Sequence, residues 1–416
     1  MPLVDPSGRP AAPRRASSPF HVIAKPVGPA CNLACSYCYY LGADARRGAR
    51  PGGAMEERLL ERFVREYIES QPEGIPELNF VWQGGEPALA GLAFYRKAVA
   101  FQRRFSRPGL AVTNSFQTNG TLLDGDWAAF FRDEGFLVGL SIDGPAELHD
   151  AVRRGPQGGS HAAALRGLEA LLRAGVETNL LAVLGSAGAE RGASLYRYLA
   201  GLGAPYLHFI PLVARPRPAG AQASASEVAA ASGFEAAPGA VGAAAWGAFL
   251  LDMFREWLSG DIGKVFVQEF EAALAARHGS PAPVCTGLAE CGRAFALERD
   301  GELYACDHFV DAGHRLGGIR ERPLAELVEG SAAFAFGEGK RLGLAARCRS
   351  CPHLAACYGE CPKNRDAEGR NLLCEGWLAF YQGSAPVFDA MSAAIRRGMP
   401  AAEYRLFLAA GAGPGS

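Results

Sequence analysis

Eleven cysteines are the residues of this chain whose number and spacing point most directly to chemistry. Three of them, Cys31, Cys35 and Cys38, form a C-x3-C-x2-C segment. Three thiolates on one tight loop can hold three irons of a cubane cluster and leave the fourth iron open to bind and activate a substrate. A cluster that only carries electrons normally has four cysteine ligands. A zinc knuckle and three unrelated buried thiols are the alternatives to a cluster here.

The remaining eight cysteines lie late in the chain, in the spacing Cys285-x5-Cys291-x14-Cys306, Cys348-x2-Cys351-x5-Cys357-x3-Cys361 and Cys374. Eight thiolates make two complete four-cysteine sets, so the triplet and these two sets account for all eleven cysteines. Zinc also accepts such ligands, but the upstream triplet favours iron–sulfur clusters. This concentration of cysteines predicts a second domain that is organised by metal.

Three polar, glycine-containing motifs each follow an apolar run that is predicted to be a strand. They are Gln83-Gly84-Gly85-Glu86-Pro87, Gln117-Thr118-Asn119-Gly120 and Ser141-Ile142-Asp143-Gly144-Pro145, and Arg153 comes soon after the last of them. Paired glycines let the backbone approach a ligand closely, and a guanidinium presents a fork that fits a carboxylate. We therefore expect the motifs to line one ligand cavity, although a simple turn would also explain the one that begins at Gln117.

The elements that must position these motifs alternate between strands and helices. Short apolar runs predict strands, and runs with apolar residues at helical spacing predict the helices between them. The predicted strands cover residues 21–25, 78–83, 112–117, 137–143, 179–184 and 206–212, and the helices 56–70, 93–105, 127–134, 162–174 and 194–201, with a further helix at 244–258. This order predicts an α/β fold, a partial (β/α)6 barrel whose active site lies at the carboxyl ends of the strands.

Composition and charge limit the possible partners and the compartment. The 416 residues are 49% hydrophobic, with a formal net charge of -1 and a pI near 6.7, so no basic surface is expected to bind nucleic acid or an anionic membrane. No apolar run approaches the roughly 18 residues that span a bilayer, and the amino end has no signal-peptide pattern. We expect a cytoplasmic protein, where the reducing environment disfavours disulfides and leaves the cysteines for metal chemistry.

The cysteine triplet, with the aromatic Tyr37 before Cys38, resembles the signature of radical S-adenosylmethionine (SAM) enzymes. The resemblance implies that the triplet ligates a [4Fe–4S] cluster whose open iron chelates the amino and carboxylate groups of SAM. Electron transfer into the sulfonium would then release a 5′-deoxyadenosyl radical. The same resemblance assigns contacts with SAM to Tyr37, Gly85, Ser141, Arg153 and Val213.

The later cysteines resemble the SPASM extension of anaerobic sulfatase-maturating enzymes, and the likeness extends from about residue 20 to residue 377. It implies two fully ligated auxiliary clusters, one held by Cys285, Cys291, Cys306 and Cys361 and the other by Cys348, Cys351, Cys357 and Cys374. Three [4Fe–4S] clusters are therefore expected. The implied domains are a disordered tail (1–19), the radical SAM partial barrel (20–213), a flexible insertion with linking helices (214–284), the SPASM domain (285–377) and a C-terminal helical tail (378–416).

The family resemblance also implies a reaction. Asp307, directly after Cys306, would take the proton from the target hydroxyl or thiol, and Tyr40 and Gln83 would lie near the substrate peptide. The expected reaction oxidises a Cys or Ser side chain of a sulfatase polypeptide to Cα-formylglycine. We expect a monomer that receives electrons from an external donor such as flavodoxin or ferredoxin, and the sequence leaves open whether Cys, Ser or both are accepted.

Two other functions remain compatible with parts of this pattern. A maturase of ribosomally synthesised peptides would form thioether or carbon–carbon crosslinks with the same clusters. Such enzymes often carry a leader-binding module, and about twenty residues before the first strand are too few to fold into one. A non-enzymatic electron carrier would require no SAM pocket, so the motifs that begin at Gln83 and Ser141 disfavour it.

Overall fold

One ten-stranded sheet organises the part of the chain that the structure describes. The computed structural model describes residues 15–46, 48, 52–213, 215–216, 234–235 and 239–408. Most of the predicted tail (1–19) and part of the predicted insertion (214–284) lie outside the described residues. Those two assignments stay predictions, as do the other domain boundaries.

Six parallel strands confirm the predicted partial barrel. The strands of the described residues are β1 (His21–Lys25), β2 (Glu77–Trp82), β3 (Ala111–Thr118), β4 (Phe136–Ser141), β5 (Arg154–Gly155), β6 (Gly158–Gly159), β7 (Thr178–Leu184), β8 (Tyr206–Pro211), β9 (Arg215–Pro216), β10 (Phe234–Glu235), β11 (Phe266–Val267), β12 (Ala294–Glu298), β13 (Glu302–Tyr304) and β14 (Arg315–Gly318). In the large sheet the strands follow the order β11-β8-β7-β4-β3-β2-β1-β12-β13-β14, and the six strands β1, β2, β3, β4, β7 and β8 pair in parallel. Two short antiparallel pairs, β5 with β6 and β9 with β10, lie outside this sheet.

The helices agree with the predicted ones to within a few residues at each end. Short 3-10 helices follow some of the loops, including one at Pro87–Ala90 directly after the Gly84-Gly85 pair. The α-helices of the described residues are α1 (Ala43–Arg46), α2 (Glu57–Glu69), α3 (Leu92–Phe105), α4 (Gly125–Asp133), α5 (Ala146–Val152), α6 (His161–Ala174), α7 (Gly192–Ala200), α8 (Ala243–Trp257), α9 (Gln268–His278), α10 (Leu324–Val328), α11 (Ser331–Leu342), α12 (Ala346–Arg349), α13 (Leu354–Cys357) and α14 (Cys374–Arg396).

The alternation of side chains along the strands separates the core from the barrel interior. In β2, Phe80 and Trp82 are buried against the helices, where Phe80 makes an edge contact with Tyr67 of α2 at a ring-centroid distance of 4.9 Å. The intervening Val81 points to the other face, and it lines the barrel cavity together with Gln83. Because successive residues of a strand face opposite sides, an apolar outer layer holds the strands while their carboxyl ends carry the polar motifs.

The sheet continues beyond the six predicted strands into the cysteine-rich region. β12 pairs in parallel with β1, with Lys25 opposite Glu298, and β13 and β14 extend the sheet in antiparallel fashion. The sequence analysis assigned no strand to this region. This pairing attaches the cysteine-rich region to the barrel sheet, and the turn at residues 299–301 lies at the end of β1 that leads into the first cysteine loop.

The long C-terminal helix α14 packs against α8 and closes the fold on its outer side. Gly376 and Gly247 lie at the crossing, where a Cβ atom added to Gly376 would lie 2.1 Å from the carbonyl oxygen of Ala243. Trp246 and Trp377 make an edge contact beside this crossing. No helix among the described residues combines the length and the apolar character required to cross a membrane.

Candidate active site

The loop after β1 carries the cysteine triplet, and backbone contacts fix its shape. Ala34 and Ser36 donate backbone hydrogen bonds to the carbonyl oxygens of Arg154 and Val152, at 2.7 and 2.9 Å. All eleven cysteines are free thiols, and Cys35 is buried. Burial is the main cause that raises the pKa of Cys31 to about 11 and also raises that of Cys35. A buried thiolate therefore needs a positive partner, and a metal cluster provides one.

The sulfur of Cys31 accepts hydrogen bonds from two N–H groups. The backbone N–H of Leu33 donates to its Sγ at 3.3 Å, and the side-chain amide of Asn119 donates at 3.8 Å. Hydrogen bonds to sulfur are common at iron–sulfur ligands, where they stabilise the negative charge on sulfur. The triplet therefore fits a cluster better than it fits three structural thiols.

The Gly84-Gly85 pair lies directly against this loop. The N–H of Gly85 donates to the carbonyl oxygen of Gly28 at 2.8 Å, and that of Glu86 donates to Ala30 at 2.8 Å. A Cβ atom on Gly85 would lie 2.1 Å from the Ala30 oxygen, so only glycine fits there. The close approach that the sequence predicted for these glycines is therefore made first of all to the cysteine loop.

Glu86 joins its own motif to the motif that begins at Gln117, a role that the sequence analysis missed. Its fully buried carboxylate accepts hydrogen bonds from Ala88 N at 2.9 Å, Thr118 Oγ1 at 2.8 Å and Asn119 N at 2.8 Å. Burial raises its pKa, while these hydrogen bonds oppose the shift. Asn119 in turn donates to Asn32 Oδ1 at 2.9 Å, next to Cys31. Since Glu86 stands in a glycine loop beside a strand end, only its burial reveals this role.

Arg153 and Asp143 form a buried ion pair beside the triplet. Arg153 Nε lies 2.8 Å from Asp143 Oδ2, and its Nη2 lies 3.2 Å from Oδ1. Tyr37 donates its hydroxyl to Asp143 Oδ2 at 2.6 Å, and its ring lies beneath the guanidinium at 5.4 Å. The Nη1 of Arg153 makes no hydrogen bond to another described residue. This arrangement presents a fixed cation whose remaining N–H groups fit a ligand carboxylate.

The other predicted SAM contacts lie at the same edge of the sheet. Ser141 ends β4, and its hydroxyl accepts a hydrogen bond from Gln117 Nε2 at 3.2 Å. Val213 is buried just beyond the end of β8. Five predicted contacts thus share one region with the triplet, which agrees with a SAM site but leaves each individual contact a prediction.

The eight later cysteines gather into two groups. Burial and then neighbouring negative charges raise the pKa of Cys306, and the contributing thiols are those of Cys361 and Cys285. Cys291 interacts electrostatically with Cys285. In the second group, Cys357 has its pKa raised to about 12 by burial, with smaller contributions from Glu360, Cys374 and Cys348. Cys374 also interacts with Cys351. These interactions agree with the interleaved order that the family resemblance implied, and the assignment of the cysteines to two clusters stays a prediction.

Two buried cations accompany these thiols, and the sequence analysis singled out neither. Lys340 is 1% exposed and donates to the carbonyl oxygens of Cys285 and Thr286 at 2.6 and 2.8 Å. Arg365 is 6% exposed and donates to the carbonyl oxygens of Gly359 and Lys340. Positive charge among eight thiols offsets the negative charge that the thiolates would carry as ligands.

Asp307 lies where the two halves of the site meet. Its Oδ2 accepts a hydrogen bond from the Tyr39 hydroxyl at 3.0 Å, and its Oδ1 accepts one from the Cys306 thiol at 3.5 Å. Burial opposes ionisation, but the charges of His308 and Lys25 and these two hydrogen bonds lower its pKa to about 2. Asp307 is therefore a carboxylate at neutral pH.

The two predicted substrate contacts differ in their surroundings. Gln83 lines a cavity of about 470 Å³ inside the barrel, together with Gln117, Asn179 and His208. Tyr40 is 3% exposed, and its hydroxyl donates to the buried Glu298. In the described residues it is Tyr39, one position earlier, whose hydroxyl reaches Asp307. The substrate roles of Gln83 and Tyr40 stay predictions.

The fold and the site together define a radical SAM protein with a SPASM extension. The family model of the Radical SAM superfamily matches residues 26–188, and that of SPASM, an iron–sulfur cluster-binding domain, matches residues 290–352.

Comparison with known proteins identifies the family within this class. The chain is 42% identical over 374 residues to the serine-type anaerobic sulfatase-maturating enzyme of Klebsiella aerogenes, which covers 89% of this chain and 86% of that protein. It is 29% identical to the cysteine-type enzyme of Clostridium perfringens strain 13, over 88% of this chain and 97% of that protein. The solved structure of native anSMEcpe with bound AdoMet and Cp18Cys peptide matches with a TM-score of 0.79 and 28% identity, covering 90% of this chain and 99% of that one. The chain belongs to the anaerobic sulfatase-maturating enzymes.

Proposed function

We propose that this enzyme oxidises a serine side chain of a sulfatase polypeptide to Cα-formylglycine. The higher identity to a serine-type relative, 42% against 29% for a cysteine-type one, favours serine as the target. The observation that carries the proposal is the position of Asp307, a carboxylate held between the first cysteine loop and the first auxiliary cysteine group.

The three groups of cysteine ligands indicate which cofactors the enzyme would bind. Cys31, Cys35 and Cys38 would hold a [4Fe–4S] cluster with one open iron, beside Arg153, whose free N–H groups fit the SAM carboxylate. The two later groups of four cysteines would hold two more [4Fe–4S] clusters with no open iron. When bound, SAM and these clusters supply one-electron chemistry: the removal of a hydrogen atom from carbon and the acceptance of an electron.

The chain's own residues account for the rest of the reaction. Oxidation of serine to the aldehyde removes one hydrogen atom from the β-carbon, one proton from the hydroxyl and one electron. A carboxylate is a poor base towards an ordinary alcohol. Once the hydrogen atom has left the β-carbon, however, the adjacent O–H is far more acidic, and Asp307 can take its proton. The carboxylate and the cavity lined by Gln83 would hold the peptide on one side of the barrel.

The test uses anaerobically reconstituted protein with SAM, dithionite and matched peptides that carry Ser or Cys at the target position. We expect 5′-deoxyadenosine together with an aldehyde product that reacts with a hydrazide. The Ser peptide should lose two hydrogens, whereas the Cys peptide should also exchange its sulfur for oxygen, because its thioaldehyde is hydrolysed. A crosslinked product would also lose two hydrogens but would not react, and would favour peptide maturation instead. Absence of 5′-deoxyadenosine would exclude radical SAM chemistry, and faster turnover of the Cys peptide would reverse the proposed preference.

The role of Asp307 is tested by Asp307→Asn. We expect cleavage of SAM to continue while aldehyde formation falls by about two orders of magnitude, the usual contribution of a general base. Asp389→Asn is the control, because Asp389 is an exposed carboxylate that pairs with Arg277 on the outer surface. Undiminished aldehyde formation by Asp307→Asn would exclude Asp307 as the base.

In the cell, an external electron donor such as flavodoxin or ferredoxin would replace dithionite.

A further inference from the structure

Tyr39 connects two parts of the site that are far apart in the sequence. It directly follows Cys38, the last cysteine of the triplet, and its hydroxyl lies 3.0 Å from Asp307 Oδ2 across a separation of 268 residues. Tyr40, the next residue, points its hydroxyl to Glu298 instead. Only the first of the two tyrosines can therefore orient the carboxylate of Asp307.

The Tyr39 ring is held on more than one side. The ammonium of Lys363 lies 4.4 Å from the ring centroid, and the imidazole of His308 makes an edge contact at 5.2 Å. Lys363 and His308 both belong to the cysteine-rich region, whereas Tyr39 belongs to the first cysteine loop. A ring that is attached to the first cysteine loop and contacted by two side chains of the cysteine-rich region keeps its hydroxyl at a defined position relative to Asp307.

The two oxygens of Asp307 have different partners. Oδ1 accepts from the thiol of Cys306, whereas Oδ2 accepts from the phenol of Tyr39. A cysteine that ligates iron has lost its thiol proton, so Cys306 can no longer donate to Oδ1. The Tyr39 hydroxyl keeps its proton and continues to hold Oδ2.

We propose that Tyr39 is a positioning residue that fixes one oxygen of Asp307 and leaves the other to take the proton of the substrate hydroxyl. The inference rests on the proposed function of Asp307 as the base. Loss of the Tyr39 hydroxyl lets the carboxylate rotate, so that fewer hydrogen-atom abstractions end in aldehyde. Cleavage of SAM does not require this orientation.

The test is Tyr39→Phe, which removes the hydroxyl and keeps the ring and its contact with Lys363. We expect the ratio of aldehyde to 5′-deoxyadenosine to fall about tenfold or more, because small misplacements of a reacting group cost one to two orders of magnitude. The rate of SAM cleavage and the iron content per chain should stay within about twofold of the wild type. Tyr196→Phe is the matched control, because Tyr196 donates its hydroxyl to Asp261 at 2.8 Å away from the site. It should keep the wild-type ratio.

A double substitution and a crystal structure separate the possible outcomes. In an Asp307→Asn background, Tyr39→Phe should cause no further loss of coupling, because both changes affect the same step. The reconstituted Tyr39→Phe variant should show a rotated Asp307 carboxylate. An unchanged ratio in Tyr39→Phe, alongside an impaired Asp307→Asn, would refute the inference alone. An active Asp307→Asn would instead remove the proposed function on which it rests. Loss of iron in Tyr39→Phe would mean that Tyr39 supports the cysteine loop and not the carboxylate.

Discussion

Removal of Asp143 should destabilise the enzyme by leaving a buried guanidinium without its counter-ion. The side chains of Arg153 and Asp143 are 9% and 3% exposed, so water can replace little of the lost interaction. Asp143 also accepts hydrogen bonds from the Tyr37 hydroxyl at 2.6 Å and from the Val183 N–H at 2.9 Å. Asp143→Ala therefore leaves hydrogen-bond donors of three residues without their acceptor.

The size of the effect follows from burial and chain length. Removing one partner of a buried ion pair costs about 3–5 kcal/mol, because the remaining charge is uncompensated. With an entropy of unfolding of about 2.1 cal/mol/K per residue, a chain of 416 residues has about 0.9 kcal/mol/K in total. Asp143→Ala should therefore lower the melting temperature by about 3–6 °C. A misdirected Arg153 should also weaken SAM binding about tenfold, which corresponds to about 1.4 kcal/mol.

The assay is thermal unfolding of anaerobically reconstituted protein at equal iron content, with SAM affinity measured by equilibrium dialysis. Glu61→Ala is the control, since Glu61 pairs with the exposed Arg104 at 2.9 Å and such surface pairs contribute about 0–1 kcal/mol. The double variant Asp143→Ala/Arg153→Met should have a higher melting temperature than Asp143→Ala, because it has no buried charge without a counter-ion. A melting temperature within about 1 °C of the wild type for Asp143→Ala, or a double variant below it, would refute the reasoning.

Two further predictions concern a buried acid and a close backbone approach. Burial raises the pKa of Glu269 to about 8, so the folded state binds an extra proton between about pH 4.5 and 8 and loses up to about 1.4 kcal/mol of stability per pH unit as the pH rises. Thermal unfolding of Glu269→Gln should show a gain over the wild type that grows from pH 6 to pH 8, and a constant difference would contradict the shift. Gly85→Ala should reduce SAM binding and the iron held by the first loop, because the new Cβ would meet the Ala30 carbonyl oxygen at 2.1 Å, whereas Gly125→Ala, with no atom within 4 Å, should leave both unchanged.

Periodicity and local spacing were enough to predict the barrel. β1 was predicted at both ends, because the short apolar run between His21 and Lys25 is followed directly by a proline. The helix α6 was predicted to within one residue, since Gly175 ends it in a left-handed conformation that favours glycine. The cysteine loop, the glycine pair and Arg153 were found because each lies within a short stretch of sequence whose residue types suit one ligand.

The strand β12 escaped prediction for a physical reason. Its five residues, Ala294–Glu298, follow a cysteine-rich stretch without a strand-like alternation of polar and apolar residues. Four of the five are buried, because both faces of this strand are covered: Phe295 and Leu297 belong to the main core, and Ala296 packs in a second cluster with Tyr40 and Val310. Burial on two faces removes the alternation that identifies a half-exposed strand.

The sequence by itself determined the class of chemistry and predicted the candidate ligands, since eleven thiols, one three-cysteine loop and the motifs at the strand ends are local features. Only the tertiary structure decided which side chains meet across the site. The contact of Tyr39 with Asp307 joins residues 268 positions apart, and the role of Glu86 depends on two donors, from Thr118 and Asn119, more than thirty positions away. Such contacts depend on the pairing of β1 with β12, which attaches the cysteine-rich region to the barrel sheet, and no local pattern of residues encodes that pairing.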